Sequence, residues 1–141
     1  MKALMMVSLA MSVVAGPLAG QAEALTETAE DARAAWYRQA TRVMMEPAIR
    51  GIRVQLPGAD PSAALSQAQG AALLAEYVSG AEEVETEVRA ARVVAAGRGY
   101  VELRRRYRVA GTEEVRTETV LLAYSQEGDT WVLVELRITR N

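Results

Sequence analysis

The sequence predicts an α+β fold, with two N-terminal helices packed on a curved four-stranded antiparallel β-meander. Three observations carry that expectation. Apolar residues recur at spacings of three and four from Ala29 to Val43, the signature of one helix face. From Val84 onward the apolar period becomes two, as in strands. Three short connections, Gly97-Arg98-Gly99, Gly111-Thr112-Glu113 and Glu127-Gly128-Asp129, divide the alternating runs at lengths that suit antiparallel hairpins.

Ahead of the first helix, Met1 to Ala24 reads as an export signal. Lys2 supplies a positive start, and Ala3–Gly16 is an apolar block without a charge. Pro17 breaks it, and small residues at Gly20, Ala22 and Ala24 offer an A-x-A-like cleavage site after Ala22 or Ala24. A block of about fourteen residues falls short of the roughly 20 that a helix needs to cross a bilayer core of about 30 Å. The expected division is therefore a cleaved leader, 1–24, and one domain, 25–141, working in the periplasm or outside the cell with no membrane span.

The first helix of the domain is expected over Thr28–Met45. Ala29, Ala32, Trp36, Ala40 and Val43 share its face, Thr26 or Thr28 caps its start, and Pro47 stops it. Trp36 is the natural anchor. Ile52, Val54 and Leu56 alternate with Arg53 and Gln55, which suggests a short extended piece before the turn at Pro57-Gly58. Asp60-Pro61 then reads as a cap and first position of a second helix running to Ser79, with Gly70 weakening its middle by about 1 kcal/mol. The strands follow at Val84–Ala95, Tyr100–Val109, Val115–Ser125 and Thr130–Thr139, with a β-bulge near Ala90-Ala91.

Tight hairpins would oppose Leu103 with Leu121 and Tyr124 with Trp131. In that register the core face carries Val101, Leu103, Tyr107, Leu121, Val134 and Leu136. The other face carries Arg106, Glu118 and Arg137 as an exposed ion-pair row, with Trp131, Leu133, Leu122 and Tyr124 making one end apolar. An end that is apolar on both faces needs cover from a helix, a neighbouring strand or a second molecule.

Composition excludes several chemistries. The 141 residues include 16 basic and 18 acidic side chains, a net charge of −2, with neither cysteine nor histidine. Thiol chemistry, disulfides, Ser–His–Asp sites and histidine-ligated metals are therefore impossible. With Lys2 the only lysine, Schiff-base catalysis in the domain is excluded too. The run Arg104-Arg105-Arg106-Tyr107-Arg108 alternates between faces, so it makes a solvated row rather than a nucleic-acid patch. Glu82, Glu83, Glu85 and Glu87 lack calcium-loop spacing and read as a solvated strand start. No cofactor or metal is expected.

Arg105 is the exception, a guanidinium on a face otherwise apolar. Buried unpaired it would be prohibitively costly, so it must line a polar pocket or pair with an acid such as Glu76. The expected ligand-binding group is Arg105, Tyr107, Thr119 and Trp36. The expected interface is Trp131, Leu133, Tyr124 and Leu122, through which an uncovered sheet end would form a homodimer.

Helix, helix and closing meander together resemble the NTF2-like and cystatin-like folds, above all in Gly99-Tyr100-Val101-Glu102-Leu103-Arg104 and Gly128-Asp129-Thr130-Trp131-Val132-Leu133-Val134. The resemblance implies a curved sheet wrapped around helices, often with a conical pocket, and serving binding, assembly or isomerase functions. The resulting expectation is an exported non-enzymatic module that binds a small ligand or a protein partner. Its rival is a ketosteroid-isomerase-like enzyme in which Arg105 polarises a carbonyl and Glu46 or Glu76 acts as base.

Overall fold

The computed structural model describes residues 17–141. Lys2 and the block Ala3–Gly16 of the expected leader lie outside them. Three helices, α1 (Pro17–Tyr37), α2 (Thr41–Met45) and α3 (Gln67–Val78), pack on five strands. These are β1 (Arg53–Gln55), β2 (Ala81–Ala95), β3 (Arg98–Val109), β4 (Val115–Glu127) and β5 (Thr130–Arg140). Strand order across the sheet is β1-β5-β4-β3-β2. No helix among the described residues is long and apolar enough to cross a membrane.

The sheet is thus five-stranded and mixed rather than four-stranded and antiparallel. The extended piece around Val54 joins it as an edge strand, parallel to β5, with Val54 opposite Leu136. Val54 is buried there, so the alternation seen in the sequence reflects real pairing.

The expected first helix divides in two. Gln39 adopts a left-handed backbone with φ 53°, and the amides of Gln39 and Ala40 bond the carbonyls of Trp36 and Ala35 at 2.9 Å each. This is a Schellman closure, usually made with glycine at the left-handed position. The second helix starts later than Asp60-Pro61 suggests. Ile52 and Leu65 exchange two backbone bonds of 2.8 Å, which holds the intervening chain extended. Ser66 and Gln69 then form a capping box that opens α3.

The meander has the expected strands in a different register. Leu103 opposes Val120 and Arg105 opposes Glu118, one residue away from the tight-loop pairing, so every β4 side chain changes face. In β5 a bulge places Ala123 opposite Glu135 but Tyr124 opposite Leu133, leaving Val134 as the extra residue. The core face therefore carries Leu122, Tyr124, Trp131 and Leu133, all at most 4% exposed. Leu121, expected in the core, lies half-buried on the opposite face. The bulge in β2 falls between Val88 and Ala90, with further shifts beside Val84 and Val94.

Helix α1 covers this core. Leu25, Ala29 and Trp36 on its inner face are at most 1% exposed, and the Trp131 indole N–H donates to the Gln21 carbonyl at 3.3 Å. Across the fold, Gly70 on α3 lets the helix approach the chain after α2. A Cβ there would sit 2.9 Å from the Ile52 Cγ2 and 3.0 Å from the Met45 Sδ. Gly70→Ala would gain about 1 kcal/mol of helix propensity but overpacks this contact at a cost of about 1–3 kcal/mol. The expected outcome is a lower melting temperature, read by circular dichroism; an increase would show that the contact can relax.

Candidate functional site

Arg105 lies in mid-β3, opposite Thr86 on β2 and Glu118 on β4, and its side chain is only 1% exposed. Its Nη1 donates to Glu118 Oε1 at 2.9 Å. Its Nε donates to Glu83 Oε2 at 3.3 Å, and its Nη2 pairs with Glu83 Oε1. The guanidinium lies over two aromatic rings, 4.1 Å from the Tyr107 centroid and 5.3 Å from that of Trp36. Two carboxylates and two π-faces replace the water that burial removes.

The carboxylates are held in turn. The Tyr77 hydroxyl donates to Glu118 Oε2 at 2.5 Å, and burial followed by that bond pushes the phenol pKa up. The Gln39 amide donates to Ala81 O at 2.9 Å, Val78 O at 3.3 Å and Glu83 Oε1 at 3.4 Å. The left-handed residue that ends α1 therefore also ties α3, β2 and the buried acid together. Exposed Arg140 approaches Glu118 to 4.0 Å, which brings two arginines to two buried acids. Burial holds the Glu83 carboxyl above its usual range, against the lowering pull of Arg105 and Gln39.

On the opposite face Arg104, Arg106 and Arg108 face Glu87, Glu85 and Glu82 at 3.8, 3.2 and 3.7 Å. This is the solvated row expected of the arginine run, with its partners on β2 rather than at Glu118 and Arg137. Such pairs contribute up to about 1 kcal/mol each.

A cavity of about 360 Å³ opens between α1, α2 and the sheet. Trp36, Met44, Leu122, Tyr124 and Leu136 line it from the buried side, and Asp31, Arg38 and Glu46 are its exposed charged members. The Trp36 indole N–H is buried and has no hydrogen-bond partner among the described residues. Burial, and then the Asp31 charge, push the Tyr124 phenol pKa up. An apolar inner wall with a few polar groups at its tip and rim is the arrangement that orients small ligands. No group of three acidic side chains among the described residues is placed to hold a metal ion.

Of the expected ligand-binding residues, Arg105, Tyr107 and Trp36 come together around the buried ion pairs. Three of the five N–H donors of Arg105 are bonded to Glu83 and Glu118. Thr119 faces Arg104 and donates to Asn141 Oδ1 at 3.0 Å, on the other side of the sheet. Its misplacement follows from the one-residue register difference. The expected interface residues Trp131, Leu133, Tyr124 and Leu122 are instead buried in the core of the chain itself. Glu76 is exposed, and the partners of Arg105 come from strands. Glu83 and Glu118, expected in solvated positions, are instead buried partners of Arg105, and Tyr77 and Gln39 hold them; these roles follow from register and from a helix end without glycine.

No protein-family model and no curated relative matches the chain. Similar solved structures include a ketosteroid isomerase-like protein from Erwinia carotovora atroseptica, with TM-score 0.69 and 10% identity over 85% of this chain and 95% of that one. A domain of unknown function with a cystatin-like fold from Nostoc punctiforme has TM-score 0.66 and 17% identity, covering 85% of this chain and 77% of that one. A DUF4783 family protein from Bacteroides ovatus has TM-score 0.64 and 10% identity over 79% and 93%. The chain therefore has the NTF2-like, cystatin-like fold that its layout resembles.

Two outcomes test the buried cluster. Arg105→Met leaves buried Glu83 without its cation and Glu118 with only the distant Arg140, and should cost about 3–5 kcal/mol, measured by urea unfolding. A native pKa for Glu83 above its unfolded value of about 4.3 means the folded state binds that proton more tightly. Its contribution is then fully present below the unfolded value and is lost as pH rises toward the raised one. Glu83→Gln should remove that fall from the stability–pH curve; an unchanged slope would assign it elsewhere.

Proposed function

We propose that this is an exported, non-enzymatic ligand-binding module whose ligand occupies the cavity between α1, α2 and the sheet. The observation that carries the reading is the composition of that cavity. Apolar Met44, Leu122 and Leu136 are combined with the buried aromatics Trp36 and Tyr124, beside charged Asp31, Arg38 and Glu46. At about 360 Å³ it falls in the range of small-molecule sites, roughly 300–1,000 Å³. The ligand that suits it is a largely apolar small molecule with one polar end. Export rests on the leader features of Lys2, Ala3–Gly16 and the small residues that follow.

Arg105 is assigned a supporting role. Three of its donors bond Glu83 and Glu118, which ties together the strands that floor the cavity.

One observation favours a second reading, an isomerase or lyase. Asp31, Glu46 and Tyr124 line the same cavity, which brings carboxylates and a phenol within one enclosure, as carboxylate-based proton transfer requires. In that reading Asp31 or Glu46 abstracts a proton and Tyr124 stabilises the developing oxyanion, in place of Arg105 and Glu76. Fold likeness does not choose between the two, because unrelated functions share this architecture.

Native mass spectrometry of the protein purified from its own periplasm should show a bound small molecule. Ala32→Phe, which fills the cavity, should abolish that mass while the protein stays folded by circular dichroism. Retention of the molecule by the filled variant would place binding elsewhere. If the bound compound is turned over, Asp31→Asn and Tyr124→Phe should each lower the rate by about 10²-fold or more; with no turnover, the binding reading stands.

A further inference from the structure

We infer that the outward face of the sheet is a homodimer interface, joined to a second copy of this chain about a twofold axis running along β4. The cavity lies on the other side of the sheet, so this inference stands apart from the ligand-binding reading.

The buried apolar residues of all three helices share one cluster with the inward side chains of the sheet, among them Val101, Leu103, Val120 and Leu136. None of the outward side chains of β3, β4 and β5 belongs to that cluster. Near the middle of the outward face is a groove of about 370 Å³, lined by Tyr100, Glu102, Leu121, Ala123, Glu135 and Arg137. Arg137 is exposed, and the others are half-buried.

Two rows across the strands build this patch. Tyr100, Ala123 and Glu135 stand side by side on β3, β4 and β5, and Glu102, Leu121 and Arg137 form the row beside them. Farther along the face, Arg104, Arg106 and Arg108 are already paired with Glu87, Glu85 and Glu82. Glu102, Glu135 and Arg137 make no ion pair among the described residues. A leucine flanked by an unpaired acid on one strand and an unpaired base on the other is self-complementary in a twofold contact, where residue i meets j and j meets i.

An axis along β4 lays β3 of one copy over β5 of the other and sets each row against itself. Glu102 then meets the partner's Arg137, twice by symmetry, and the Tyr100 phenol meets the partner's Glu135. Leu121 and Ala123 stack on their own copies. Arg92 beside Tyr100 and Arg53 beside Glu135 also come opposite, but two strands from the axis, at a rim where solvent screens like charges. A twofold axis across the strands would instead set Arg104 against the partner's Arg98, directly beside the groove. Strands β2–β5 are 11 to 15 residues long. At about 4.8 Å between strands and about 3.3 Å per residue, they offer roughly 700 Å², close to the ~800 Å² per partner of a standard interface.

Sedimentation velocity of the purified protein at micromolar concentration tests the inference, with circular dichroism checking that each variant is folded. The expected species is a dimer. Glu102→Arg and Arg137→Glu each place like charges across the axis and should raise the dimer Kd by about tenfold or more. The combined variant restores opposite charges and should recover the dimer. Leu121→Lys, where the two copies meet, should give a folded monomer. A monomeric unaltered protein, a dimer indifferent to either reversal or to Leu121→Lys, or a combined variant no tighter than the single ones would each overturn the inference.

Discussion

A guanidinium leaves water only where anions and hydrogen-bond acceptors stand ready to replace it, and that requirement organises this sheet. Arg105 on β3 needs Glu83 from β2 on one side and Glu118 from β4 on the other. Both acids reach it only in the observed register. Slipping either strand by one residue would turn an acid outward and strand the cation among Leu103, Trp36 and Tyr107. Apolar packing alone tolerates several registers in β4; the charge arrangement accepts one. The triad thus serves specificity more than net stability, in keeping with the weak average contribution of buried ion pairs.

The legibility of the fold follows the same physics. Strand limits were readable because Gly-containing turns and a clean change of period mark them, and Trp36 was readable as an anchor from helical spacing. The β4 register was not. Val120-Leu121-Leu122-Ala123-Tyr124 is apolar at every position, so a period of two cannot say which side is inward. Trp131-Val132-Leu133-Val134 poses the same ambiguity, and the bulge at Val134 resolves it differently at its two ends. Glu118 was hidden by that ambiguity, since a one-residue error sends it to solvent. The end of α1 was hidden for another reason. Gln39 accepts a left-handed backbone whose strain of about 1–2 kcal/mol is offset by side-chain bonds to residues some forty positions away. No local signal announces that arrangement. Arg105 remained visible as a charge on an apolar face, although its chemistry proved to be internal.

Separating the ionic cluster from the cavity clarifies the functional reading. The most chemically conspicuous residues in the sequence are consumed by one another, while the cavity draws on ordinary ones: a tryptophan, a tyrosine, a methionine and two leucines. Trp36 belongs to both regions, with its ring against Arg105 and its place in the cavity lining. A change in how that ring sits would be felt at both. This contiguity lets the inner end of the sheet act as a rigid floor, while the helices α1 and α2, joined at Gln39, define the opening.

The outer strand β2 has a consequence for how the molecule behaves among its own kind. It leaves fifteen residues along one side of the sheet, a length on which another extended chain could be templated. Three interruptions in its spacing and the glutamates along it, drawn toward arginines on β3, make that border uneven and electrostatically unwelcoming to a ribbon laid alongside. At the far border β1 presents only three residues. Fibril growth from either margin is thereby discouraged by spacing, charge and length.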